Sequence, residues 1–458
     1  MCANKFQKAV SMSSRQTIGL ITLVALFFIW GFFTSMNDIL IPHFKQQFTL
    51  TYFKAMLVQF SFFGAYFTGS VLYFIISITR GDPINKIGYK NGIIIGLALA
   101  MLGSALFYPA AQVNSYWFFL VALFIVGLGF TMLQISANPY VAILGKPEGA
   151  SARLNFAQGF NSLGTTIGPA LGGFLIFHYF KGAAAVQYPY LIFALVFLFF
   201  LIAVKIIDLP EYKADTTVVR DAGALGYPYL VLGVIAIFMY VGAEVSVGSM
   251  MINFLGLPQV AGLSHAAAAT FVSLYWGSQM IGRFMGSVSL SRRMAPLRRY
   301  LLMMVIAVAG FTFFALFKGF AVLKYYAILL LFNYLAFLIG RSLPHRTLFV
   351  FALVNVALLL IGSLARGTVA MWAVIGIGLF NSIMWSNIFT LAIDGLGRYT
   401  AQGSSLLVMA IVGGALLPVL MGAVADRYGV QLSYLVPLVP YLYLAFYGAR
   451  GYRIGKKI

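Results

Sequence analysis

Two carboxylic acids stand where carboxylic acids are costly. Asp38 and Glu244 fall inside long apolar stretches, while the remaining acids of the chain lie in polar segments or at the ends of apolar ones. An ionisable group within a membrane helix is tolerated when it faces a cavity or a partner, and it marks a functional position by default. Asp38 shares one helical face with Trp30, Thr34, Asn37 and Ile41. Glu244 follows Tyr240 by one turn. The chemistry open to such a pair is uptake and release of a coupling ion, a proton above all.

Amides supply the second kind of chemistry. Asn155, Gln158, Asn161, Ser162 and Thr165 recur at helical spacing and draw a narrow polar stripe along an otherwise apolar stretch. Gln134 and Asn138 stand one turn apart, and Asn381 precedes Trp385 by one turn. An amide carries both donors and acceptors. Several amides with one aromatic face suit a neutral polyhydroxylated ligand. The plainer role is interhelical hydrogen bonding. Arg283 lies within an apolar stretch and reads as a structural or gating residue, with Asp394 or Glu148 as possible partners.

The surrounding elements follow from composition. Of 458 residues, 62% are hydrophobic and 9% charged, with a formal charge of +20. Soluble domains are about 25% charged, so this chain must be solvated largely by lipid. Candidate spans of about 20 residues fall at approximately 17–41, 53–79, 92–111, 116–144, 155–180, 188–207, 227–255, 265–290, 299–317, 322–340, 346–364, 368–393, 402–425 and 431–449. The first reads as a retained signal-anchor helix. With the N-terminus inside, Lys and Arg concentrate in the loops on its side, which places both ends in the cytoplasm. The positive charge is thereby topological and not a nucleic-acid surface. The lone Cys2 excludes internal disulfides, and the four His lack ligand spacing, so no metal site or cofactor is expected. No phosphate-binding loop or nucleophile motif is present, which argues against an enzyme or an ATP-driven pump.

Residues 208–226 form the longest polar stretch. They divide the chain into 1–207, a six-helix bundle, and 227–458, a second bundle. Two all-α bundles with a polar site between them describe a secondary transporter.

Several segments then resemble one family. Gly81-Asp82-Pro83-Ile84-Asn85-Lys86-Ile87-Gly88-Tyr89-Lys90 is similar to the cytoplasmic loop motif of the major facilitator superfamily, with Asn85 where that motif has Asp. Met36-Asn37-Asp38-Ile39-Leu40-Ile41-Pro42, Gln134 to Tyr140 and Arg153 to Gly164 resemble the fucose/galactose/glucose cation-symporter family. Gln134, where fucose carriers have Glu, and the segment Tyr240 to Ser249 resemble its glucose/galactose branch. The resemblance implies a gating or structural role for Gly81 and Gly88, and proton coupling at Asp38, with Glu244 replacing the absent acid. A hexose would bind Gln134, Asn138, Gln158, Asn161, Glu244 and Asn381 and stack on Trp385. Proton symport into a bacterial cell across the inner membrane, by a monomer, is the expected activity. Sodium coupling and efflux of another small metabolite or drug are the alternatives. One departure is large: residues 299–340 add a hairpin to the usual twelve helices. Its simplest role is a lipid-facing packing appendage.

Overall fold

The computed structural model describes residues 14–50, 52–180, 182–207, 209, 221–291, 294–320 and 322–456. Cys2 and the centre of the polar linker lie outside the described residues, as does the side chain of Asp38. The elements, in order, are α1 (Ser14–Gln47), α2 (Tyr52–Arg80), α3 (Pro83–Ala105), α4 (Phe107–Val113), α5 (Tyr116–Ile143), α6 (Ala150–Gly173), α7 (Ala184–Ile206), α8 (Pro228–Gly256), α9 (His265–Ser289), α10 (Pro296–Lys318), α11 (Lys324–Gly340), α12 (Pro344–Leu364), α13 (Gly367–Asn381), α14 (Met384–Ile393), α15 (Thr400–Met409), α16 (Gly413–Tyr428), α17 (Val430–Ser433) and α18 (Leu438–Ala449). No strand occurs among the described residues.

Among the described residues eleven rods are long and apolar enough to cross a membrane, and α11 is apolar but shorter. Besides α11, the fourteen spans expected from sequence include two, α6 and α9, that are not among these eleven rods. Both are long enough, at 24 and 25 residues, but they are rich in Gly, Ser, Thr and amides. They carry the polar stripe and Arg283, and those residues dilute their apolar character.

The packing repeats. In the first set α1 lies along α6, α3 along α5 and α7, and α2 along α5. In the second, α8 lies along α16, α12 along α13 and α18, and α9 along α13. With α10 and α11 set aside, the second pattern is the first displaced by six rods. The added hairpin is therefore α10–α11, seated outside the repeated scaffold against α9, α12 and α13.

Close backbone approach holds the α1–α6 pair. A Cβ on Gly164 would lie 2.1 Å from the Phe28 carbonyl oxygen, and one on Gly31 would lie 2.0 Å from that of Asn161. Small residues let membrane helices meet at this range, where packing supplies most of the association energy. Arg153 closes the end of α5 by donating to the carbonyls of Val141 (3.1 Å), Lys146 (3.0 Å) and Ala142.

The two sets meet along α6 with α9 and along α2 with α15. On the side of the linker they are latched by polar contacts. Asn85 Nδ2 donates to the Arg398 carbonyl (2.6 Å), Gln402 Nε2 to Ser77 Oγ (2.9 Å), and Asn155 Nδ2 to Asn387 Oδ1 (3.2 Å). Ser151 and Thr390 hydroxyls lie 2.6 Å apart. Asp221 and Ala224, at the end of the linker, bind Tyr399 and Gln402. Gly81 and Gly88 flank this latch with φ of 83° and 81°, a region other residues enter at a cost. Gly88 breaks the helical path inside α3.

Asp82 caps α3 and accepts from the Ile84 N–H (3.0 Å) and the Tyr73 hydroxyl (2.5 Å). Burial pushes its carboxyl above the ordinary value, against these donors, which favour the charged form. A carboxyl raised in the folded state contributes stability fully present below its unfolded value and lost as pH rises through the raised one. Asp82→Asn should therefore match wild type in acid and unfold at a higher temperature near neutral pH, as read by scanning fluorimetry. Gly164→Ala should lower the unfolding midpoint at every pH by the equivalent of about 1–3 kcal/mol.

Candidate functional site

Between the two sets lies a cavity of about 140 Å³. Trp30 of α1, Gln134 of α5 and Gln158 of α6 face it from the first set. Tyr240, Val241 and Glu244 of α8, Arg283 of α9, Trp385 of α14 and Ile411 face it from the second. Every polar side chain here sits on a helix packed within the lipid-solvated body, so its unused hydrogen-bonding capacity can be met only by protein or by the cavity's contents.

On the first-set wall the amides hold one another. Asn138 Nδ2 donates to the Gln134 carbonyl (3.2 Å) and lies 3.4 Å from Gln134 Oε1. Gln158 Nε2 stands 3.5 Å from Asn138 Oδ1. Asn138 is fully buried and acts behind the wall by orienting the two glutamines. Trp30 is fixed by its indole N–H, 3.3 Å from the Tyr66 hydroxyl.

The second-set wall is built around an interruption. Helix α13 stops at Asn381 and α14 begins at Met384. Three carbonyls around this break accept side-chain donors. The Leu379 oxygen takes Ser382 Oγ (2.6 Å) and Asn333 Nδ2 (3.2 Å). The Asn381 oxygen takes the Tyr240 hydroxyl (3.2 Å), and the Ser382 oxygen takes Arg283 Nε (3.1 Å). The Tyr240 hydroxyl also lies 2.6 Å from Glu244 Oε1. Asn381 is a buried hub. Its Oδ1 accepts from Tyr441 (2.7 Å) and Asn355 (2.9 Å), and its Nδ2 donates to the Tyr275 hydroxyl (3.0 Å). Tyr275 in turn donates to the Glu244 carbonyl (3.0 Å).

Arg283 spans the seam. It donates to the Ser382 carbonyl, to Gln279 Oε1 (3.0 Å), to the Gln158 carbonyl (3.4 Å) and to Ser162 Oγ. The partners expected from sequence are not used. Asp394 instead pairs with Lys456 at 2.8 Å, at the far end of α14. Trp385 stacks against Phe389 and keeps a buried indole N–H without an acceptor among the described residues.

Of the residues assigned to ligand contact from sequence, Gln134, Gln158, Glu244 and Trp385 come together at the cavity, and Arg283 joins them. Asn138 and Asn381 stand one layer behind. Asn161 does not reach the cavity: it turns toward α1 and donates to the Phe27 carbonyl at 3.0 Å, because the close α1–α6 crossing leaves that carbonyl within reach. Asp38 falls on α1, with its side chain outside the described residues. The sequence reading did not assign Tyr240, Val241, Ile411 or Trp30 to the cavity. For Tyr240 its place one turn before Glu244 was an available signal; for Val241 and Ile411 there was none. Among the described residues no group of three or more His, Cys, Asp or Glu could hold a metal.

Comparison with known proteins decides the family. The Major Facilitator Superfamily model matches residues 23–344. The chain belongs to that superfamily. It is 43% identical over 457 residues to a protein named glucose/galactose transporter from Brucella abortus (strain 2308), covering 98% of this chain and 97% of the relative. It is 37% identical to a putative glucose/galactose transporter from Helicobacter pylori (strain ATCC 700392 / 26695), covering 95% and 97%. The crystal structure of the E. coli fucose:proton symporter superposes with a TM-score of 0.76 at 28% identity, over 97% of this chain and 100% of that one. This places the chain in the fucose/galactose/glucose group of the superfamily.

Arg283→Lys tests the seam. A single ammonium cannot reproduce the guanidinium's spread of donors. Each charge-assisted hydrogen bond lost is worth about 1.5–3 kcal/mol. The variant should bind ligand about tenfold more weakly or worse, as measured by calorimetry on purified protein.

Proposed function

We propose that this chain is a secondary active transporter that carries a hexose of the glucose/galactose type into a bacterial cell by proton symport. It works as a monomer in the inner membrane, with both termini cytoplasmic. The observation that carries this reading is the composition of the cavity. Two oriented glutamine amides, an indole whose N–H has no acceptor among the described residues and a titratable carboxyl converge at the meeting of two repeated helix sets. Amides can donate to and accept from sugar hydroxyls, and an indole face covers the apolar C–H face of a pyranose. The names of the relatives, glucose/galactose transporters and fucose:proton symporters, support the same substrate class and the same ion.

The mechanism follows from the two sets, 1–207 and 227–458, rocking about the cavity, with 208–226 as the connecting linker. The latched face lies on the linker side, hence toward the cytoplasm in this orientation, and a carrier closed on that face receives its ligand from the outer side. Sugar bridging Gln134 and Gln158 to Trp385 would draw the sets together on the outer side. The coupling proton is assigned to Glu244, with Asp38 on α1 as the second acid. A proton on Glu244 removes a charge from the apolar interior, which lowers the cost of closing the cavity around the sugar. The Tyr240 hydroxyl keeps the carboxyl oriented in either form. Release of sugar and proton inside then frees the empty carrier to return.

The decisive experiment is uptake of labelled hexoses into proteoliposomes, with pH and sodium gradients imposed separately. Accumulation driven by an inward proton gradient alone is expected. Accumulation that needs sodium at fixed pH would replace the proton by sodium, and absence of hexose uptake under either gradient would end the sugar reading. Glu244→Gln and Asp38→Asn should lose uphill accumulation and retain counterflow. Trp385→Ala should raise the hexose KM about tenfold, the equivalent of losing about 1.5 kcal/mol of aromatic contact.

A further inference from the structure

The hairpin α10–α11 contributes most of its surface to lipid: only 17% of the residues in its first apolar window are buried, the lowest share among the candidate spans. The buried remainder is specific. Phe314 of α10 fills the space over Gly277, and Gly310 makes room for Ile281, both on α9. The Tyr326 hydroxyl lies 2.8 Å from Ser278 Oγ, one residue before Gln279. On the other side Leu329 fills the space over Gly376 of α13, and Tyr326 packs on Trp372. The hairpin thus wedges against the outer faces of the two helices whose inner faces carry Arg283 and Asn381.

One polar contact reaches further. Asn333 is the only amide in α11 and is fully buried. An amide on an otherwise apolar rod costs free energy unless it is bonded. Its Nδ2 donates to the Leu379 carbonyl at 3.2 Å, at the break between α13 and α14. The other two carbonyls of that break are held from inside the scaffold by Tyr240 and Arg283. The third is shared between Ser382 of the break itself and Asn333 from outside.

We propose that Asn333 is a positioning residue: through it the hairpin fixes the α13–α14 break and so sets where Trp385 stands in the cavity and Asn381 stands behind it. The added hairpin is then a working part of the ligand site, not an appendage. The part of this inference that concerns ligand binding rests on the hexose-transport reading; the part that concerns the break does not.

The test pairs hydrogen exchange with transport on the full-length protein. Asn333→Leu keeps the volume and removes the donor. Backbone amides from Leu379 to Asn387 should exchange about fivefold faster or more, the loss expected for one net hydrogen bond, while amides of α12 keep their wild-type rates. The hexose KM should rise by a similar factor with maximal uptake retained. Combined with Trp385→Ala, the effect on KM should be less than additive, because both act at one place. Phe332→Leu, on the lipid-exposed side of the same helix, should change neither readout. Should Asn333→Leu not survive purification, Asn333→Ala gives the same readouts. Unchanged exchange at 379–387, or a uniform rise across α9, α12 and α13, overturns the proposal. Faster local exchange with an unchanged KM overturns its link to the ligand site. If wild-type protein takes up no hexose, the transport reading fails while the exchange result still decides whether Asn333 holds the break.

Discussion

Inside a lipid-solvated body a polar group has no water to fall back on, and the architecture around the cavity follows from that constraint. The break between α13 and α14 places carbonyls in the apolar interior. The protein meets the need with donors from three directions: Tyr240 from α8, Arg283 from α9 and Asn333 from α11. Satisfying the backbone therefore ties three helices to one point. The same donors also hold Glu244 at the cavity and Gln279 one turn before Arg283, since Tyr240 touches the Glu244 carboxyl and Arg283 touches Gln279. Structural repair of the helix and assembly of the site are one set of contacts.

The contacts divide by the kind of motion they allow. Within each set, helices meet through glycines and buried aromatic edges, as at Gly31 and Gly164 or between Phe33 and Phe193. Such packing has no alternative arrangement of similar energy. Between the sets on the linker side, the latch consists of single hydrogen bonds such as Asn85 to Arg398 and Gln402 to Ser77. Each has a modest net value because water can replace either partner when the face opens. Rigid sets joined by exchangeable contacts are what alternating access requires. Arg283 is the exception, a charged tie across the seam to Gln158 and Ser162 beside the ligand space. It links the state of the cavity to the state of the seam.

Much of the fold was legible because the membrane reduces the choices. Spans long enough to cross a bilayer must be helices, and their number and order could be read from apolar runs. The hairpin 299–340 was visible as an addition for the same reason. The site was legible in part. Gln134, Gln158, Glu244 and Trp385 stood out as polar or aromatic residues at helical spacing, and they meet at the cavity. Asn161 shared that spacing and turned away. Periodicity fixes a face to within about a third of a turn, whereas the nearest acceptor, here the Phe27 carbonyl, depends on how closely α1 crosses. Asn333 went unremarked among apolar neighbours, since its partner lies 46 residues away at Leu379.

The sequence by itself determined that this is an all-helical membrane protein and which few polar residues its spans carry. Those are properties of composition and period, fixed by the cost of burying charge and unpaired backbone in lipid. Only the tertiary structure decided which of those residues share a cavity, which stand behind it, and which merely bind a neighbouring helix. Hydrogen bonds are settled over a few ångströms between residues as far apart as Asn155 and Asn387, and no local pattern specifies that distance. The standing of the hairpin belongs to the same category: its length was written in the chain, but its hold on the helix break arises only where α11 meets α13.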